Sequence, residues 1–95
     1  MAAPQFLVHD TVDTVGVVVV EGVKAGAALS GWLMATDATI RIKSLGSIPL
    51  GHKVALRDIK EGATIIKYGH DIGVAVKDIN KGGHVHVQNV KTKRW

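Results

Sequence analysis

Two histidines stand two places apart in His84-Val-His86-Val-Gln88. Alternate residues of a strand share a face, so His84, His86 and Gln88 are expected on one side and Val85 and Val87 on the other. That spacing sets the imidazoles roughly 6.5–7 Å apart at Cα, within reach of one divalent metal or of one anion. Two ligands do not complete a metal site, and a third would have to come from another strand or another chain. A solvent-facing His-x-His pair on an edge strand is the bland alternative, and spacing alone leaves it open.

Two further groups could meet an anion. His52-Lys53 follows a glycine, and Lys67-Tyr68-Gly69-His70 closes an apolar run. Lys67 offers a cation, Tyr68 a phenol donor and Gly69 close approach to the backbone, which together suit a carboxylate or a sulfonate. The competing reading is a solvated lysine beside a core tyrosine. Asp58, Asp71 and Asp78 each precede an isoleucine at a turn, where aspartate favours local backbone bonding. His9 reads as a surface turn residue. There is no phosphate-binding loop and no nucleophile–base pairing.

These groups hang on a repeated local pattern. Ile48-Pro-Leu-Gly51, Ile59-Lys-Glu-Gly62 and Ile79-Asn-Lys-Gly82 each lead into a short apolar run, and Val23-Lys-Ala-Gly26 has the same form. Each predicts a tight turn at a glycine with positive φ, followed by a new strand. Upstream, residues 6–9 predict a first strand and residues 9–13 a polar turn. Residues 15–20, Val-Gly-Val-Val-Val-Val, predict a strand buried on both faces. Residues 29–34 predict a strand with a bulge at Gly31. In residues 39–45 Ile40 and Ile42 face inward while Arg41 and Lys43 face out. No window carries a 3.6-residue stripe, and residues 57–61 could hold one helical turn at most. The expected fold class is all-β, a small domain of short strands and glycine turns.

The totals bound the function. Ninety-five residues make one domain, with a core over about residues 6–90 and a basic tail at 91–95. Without cysteine there is neither a disulfide framework nor a thiolate metal site. Nothing at the N-terminus resembles a signal peptide, and the longest apolar run is too short to span a bilayer, so the expectation is a cytoplasmic protein without membrane contact. A net charge of +4 suits an anionic small molecule and falls short of a nucleic-acid platform.

Three motifs, Gly51-His-Lys-Val-Ala-Leu56, Ile66-Lys-Tyr-Gly69 with Ile72-Gly73, and Gly83-His-Val-His-Val-Gln-Asn89, occur in family order and spacing. They resemble the SAF domain of the altronate and galactarate dehydratases, a β-clip module. The ending Asn89-Val-Lys-Thr-Lys-Arg-Trp95 resembles the small subunits of sulfo-lyases that act on sulfolactate. The resemblance implies a metal-assisted β-elimination, releasing pyruvate and sulfite from 3-sulfolactate, carried out with a separate large subunit as a hetero-oligomer. It implies iron(II) as the divalent metal, shared with or held by that partner. It implies His84 and His86 as catalytic residues and metal ligands, and His52, Lys53, Lys67, Tyr68, Gly69 and Asn89 as substrate-binding residues. Many relatives carry histidine where this chain has Gln88. Two alternatives stay open: the SAF module of a sugar-acid dehydratase, and a non-catalytic module that binds an anion or carbohydrate. The tail, with Trp95 beside cations, is expected to dock on the partner.

Overall fold

β-Branched side chains lose rotamer freedom in helices and pack well on a pleated surface, and this chain is rich in them. The computed structural model describes residues 3–92, and among these it contains nine strands and no helix. They are β1 (Phe6–Val8), β2 (Val15–Val18), β3 (Ala28–Leu33), β4 (Ala38–Lys43), β5 (Lys53–Ala55), β6 (Thr64–Lys67), β7 (His70–Ala75), β8 (His84–Val85) and β9 (Val90–Lys91). Six form one sheet in the order β4-β3-β1-β2-β5-β8, and β6-β7-β9 form a second. All pairings are antiparallel except β1 with β3.

The repeated pattern is one device used four times. Gly26, Gly51, Gly62 and Gly82 have φ of 84°, 87°, 84° and 86°. In each case the residue after the glycine donates its N–H to the carbonyl two places before it, at 2.8–3.1 Å. A bonded turn with a positive-φ glycine in its third place is a type II turn. The turns associate in pairs through the β-branched residue that opens each block: Val23 bridges Ile48, and Ile59 bridges Ile79. Asp58 and Asp78 brace the second pair. Asp58 Oδ1 accepts from Lys81 N and Asp78 Oδ1 from Glu61 N, both at 2.8 Å. Their bonding is therefore to backbone, as expected, but across the fold rather than local.

Each bridge sits in its own core. Phe6, Val8, Val18, Val23, Leu29, Ile42, Ile48 and Val54 form one cluster. Val15, Ala55, Ile59, Ile65, Ala75, Ile79 and Val85 form the other. Strands β2 and β5 serve both clusters.

Several expectations need correction. The strand begun at Val15 stops at Val18, and Val19 is exposed, so the valine run is not buried throughout. Gly31 pairs in regular register with Ile40, without a bulge. A Cβ there would run into the Phe6 ring, so the glycine answers a packing need. The register shift falls instead in the β6–β7 hairpin, between Ile65 and Ile66. Residues 57–61 contain no helical turn. Ile42 is buried and Ile40 packs against the core, with Arg41 and Lys43 outward as expected. Lys91 belongs to β9, which carries the ordered fold one residue into the expected tail. The docking expectation for the tail falls on residues 93–95, which lie outside the described residues.

Candidate active site: a histidine cluster beside two lysines

Two of the four turns launch histidines toward each other. The Gly51 turn leads through His52 into β5, and the Gly82 turn leads into His84 on β8. Strands β5 and β8 pair antiparallel, with Lys53 opposite Val85 and Val54 opposite His84. This register brings in His52, 32 residues before His84, as a third imidazole. His52 Nδ1 and His84 Nε2 lie 2.7 Å apart, and the His52 ring stacks on that of His86 with centroids at 3.6 Å and planes 13° apart. His84 and His86 are themselves 6.0 Å apart.

The expected strand geometry holds only in part. Strand β8 ends at Val85, and residues 86–89 form a turn. Val85 is fully buried, but Val87 is 81% exposed, so the two valines do not share an inner face. Asn89 makes this turn. It is buried, its Oδ1 accepts from His86 N at 3.0 Å, and its Nδ2 donates to His84 O at 2.8 Å. With both ends of the amide held by backbone, Asn89 shapes the His-x-His segment. Gln88 lies near His84, its Nε2 3.1 Å from His84 Nδ1. With the Gln88 amide donating there, the His84 proton sits on Nε2 and is given to His52 Nδ1.

The second anion group is linked to the first through Lys53, which feels the charge of Lys67. In the β6–β7 hairpin Lys67 pairs with His70 across a two-residue loop, Tyr68-Gly69, whose φ values are 55° and 71°. Two successive positive φ angles make a type I′ turn, which suits the twist of the strands. Tyr68 is exposed, contrary to the reading of a core tyrosine. The Lys67 ammonium lies 5.1 Å from the Tyr68 ring centroid, and His9 meets the ring edge-on at 5.2 Å. His9, exposed at its turn as expected, also supports the hairpin tip.

The electrostatics follow first from burial and then from crowded like charges. Burial, then the Lys67 ammonium, pushes Lys53 below the ordinary lysine range. Burial first, then His52, His86 and Lys53, pushes His84 down. His86 is lowered by burial, then by His52 and Lys53. Lowered histidines are neutral near pH 7, the form that accepts a proton or binds a metal.

The donor set gives a partial fit to a metal. Neutral imidazole suits iron(II), and His86 Nδ1 is a buried ring nitrogen with no partner. His84 has both nitrogens engaged, toward His52 and Gln88, which leaves it none to offer. Among the described residues no group of three His, Cys, Asp or Glu side chains could hold a metal ion. The remaining ligands of any metal at His86 would have to come from elsewhere.

The family model for the altronate/galactarate dehydratase SAF domain matches residues 4–93. The chain is 58% identical over 90 residues to a (2R)-sulfolactate sulfo-lyase subunit alpha from Chromohalobacter salexigens, covering 95% of this chain and 96% of that one. It is 52% identical over 59 residues to a protein of the same description from Paracoccus pantotrophus, covering 62% of this chain and 88% of the other. It is 48% identical over 60 residues to an altronate dehydratase from Bacillus subtilis, covering 63% of this chain but 12% of that enzyme. Among the described residues no helix is long and apolar enough to cross a membrane.

Proposed function

The chain belongs to the altronate/galactarate dehydratase SAF domain family, and we propose that it acts there as the small subunit of a lyase that splits 3-sulfolactate into pyruvate and sulfite. The observation that carries this reading is the likeness, over nearly the whole of both chains, to a sulfolactate sulfo-lyase alpha subunit. The description of that relative as a subunit supports a second chain as partner, which we take to be the larger.

The reaction is a β-elimination. A base removes the C2 proton, the C2–H electron pair becomes the C2=C3 double bond, and the C3–S pair leaves with sulfur as sulfite. The resulting enol tautomerises to pyruvate. The substrate is a dianion, so cations at both ends would bind it and hold negative charge developing at its carboxylate. Lys53 and Lys67 supply such cations, and the His52 ring and the Tyr68 hydroxyl add donors; the Gly69 N–H is already given to Asp13 Oδ1. His84, neutral and hydrogen-bonded to His52, is suited to pass a proton. His86 would lend Nδ1 to a divalent metal, iron(II), shared with the partner. When bound, such a metal would stabilise the enolate oxygens as a Lewis acid.

The test is production of the chain alone and together with its partner, each supplied with iron(II) and 3-sulfolactate. We expect sulfite and pyruvate in equal amounts from the pair and neither from the chain alone. Keto-acid formation from altronate or galactarate, without activity on sulfolactate, would instead assign the chain to a sugar-acid dehydratase. Ligand binding without turnover in either assay would leave a non-catalytic module.

A further inference from the structure

The described residues hold a buried carboxylate for which the proposed reaction has no use. Asp13 ends the turn between β1 and β2 and is 2% exposed. Its Oδ2 accepts from His9 N at 3.2 Å and Asp10 N at 3.1 Å, which ties its own turn. Its Oδ1 accepts from Gly69 N at 2.7 Å, 56 residues away. A buried carboxylate is costly unless its oxygens are bonded, and here both are engaged.

The third bond reaches a strained place. Tyr68 holds φ of 55°, a conformation uncommon for a residue with a side chain. Such a conformation persists when its surroundings determine it. Asp13 holds the next amide, His9 from the same turn packs on the Tyr68 ring, and the Lys67 ammonium lies near that ring. One residue further on, Thr14 clamps the same strand. Its N–H donates to Ile66 O and its Oγ1 accepts from Ile66 N, both at 2.9 Å.

We propose that Asp13 is a positioning residue for the substrate contact made by Lys67. Its carboxylate fixes the Tyr68–Gly69 turn and thereby holds the Lys67 ammonium over the Tyr68 ring, within electrostatic reach of Lys53. The inference rests on the reading of Lys67 as a substrate contact, and it adds the residue that sets where that contact stands. The substrate class follows from the chemistry: a small anion whose carboxylate or sulfonate meets the ammonium beside the exposed Tyr68.

Two variants disturb the bond in different ways. Asp13→Asn puts an amide donor against one set of N–H groups. Asp13→Ser is milder: its hydroxyl can still accept from the nearby His9 or Asp10 amide but is too short to reach Gly69. In the assembled enzyme both should raise KM for 3-sulfolactate by about tenfold with kcat less affected, and exchange of the Gly69 amide should quicken by about the same factor. Asp13→Ser combined with Lys67→Met should be no worse than Lys67→Met alone. Thr14→Val removes a neighbouring strand clamp and controls for general loss of stability. Undiminished Gly69 protection in Asp13→Ser overturns the proposal. So do KM effects that add in full with Lys67→Met, or an equal KM rise in Thr14→Val. An unchanged KM in Lys67→Met alone removes the underlying reading of Lys67, a failure distinguishable from the others because Gly69 exchange would still respond to Asp13→Ser.

Discussion

The two bridged pairs of turns share a form and differ in what secures them. The Val23–Ile48 pair rests on the larger side chains, with Phe6, Leu29 and Ile42 in its cluster. The Ile59–Ile79 pair rests on smaller ones, including Ala55 and Ala75, and adds a bond at 2.7 Å in each direction between the isoleucines and the reciprocal aspartate braces. Apolar volume does in the first what directed polar bonds do in the second. Each pair nonetheless launches one histidine segment: His52 follows the Gly51 turn of the first, and His84 follows the Gly82 turn of the second. The cluster is therefore assembled where the two halves meet, and its geometry depends on both.

The comparison breaks most sharply at Phe6. Phe6→Ala should cost about 3–5 kcal/mol, because the ring is fully buried and lies over Gly31, which has no side chain to fill the space. Chemical denaturation should show this loss in the transition of the whole domain. A variant that denatures like the parent would mean that the first core is not the main support.

The histidines should separate activity from stability. His84→Ala and His86→Ala should each lower the rate of the assembled enzyme by on the order of 10²-fold, with little change in the melting temperature of the chain. On the proposed roles the two should differ in metal content: His86→Ala should lose bound iron, while His84→Ala should keep it and lose the proton path. Full activity in both would make the cluster a surface feature.

A smaller effect should appear at the braces. Asp58→Ala removes the acceptor of Lys81 N and should cost roughly 1 kcal/mol, as loss of a capping oxygen does. The mirror change, Asp78→Ala, should cost about the same by removing the acceptor of Glu61 N. Hydrogen exchange at Lys81 and Glu61 reads the two separately, and unequal responses would show that the pseudo-symmetry of the pair is only apparent.

The smallest effect is on pH dependence. His84 and His86 titrate below their ordinary 6.5 in the folded chain. The unfolded chain therefore takes up protons first as pH falls. Stability of the metal-free chain should be complete above about pH 6.5 and should decline as pH drops through the lowered folded values. Replacing both histidines by glutamine should flatten this slope, which melting curves across that range can measure.

Much of this was legible from order along the chain. The turns at Gly26, Gly51, Gly62 and Gly82 depend on local chemistry, and β-branched runs between them leave strands as the outcome. His84 and His86 could be singled out because a two-residue spacing is itself local. Other features depend on register between distant segments. His52 becomes the third imidazole only because β5 pairs with β8. The part Asn89 plays in the turn appears only on folding, which sets its amide on the backbone of residues 84 and 86. Asp13 read as a turn residue, which it is, but its bond to Gly69 spans 56 residues. Gly31 looked like a bulge until Phe6 lay across it. Turn and strand preferences are set within a few neighbouring residues, where sterics and short hydrogen bonds dominate. Which polar groups meet is decided by strand pairing and burial, which come into being only when the two cores close.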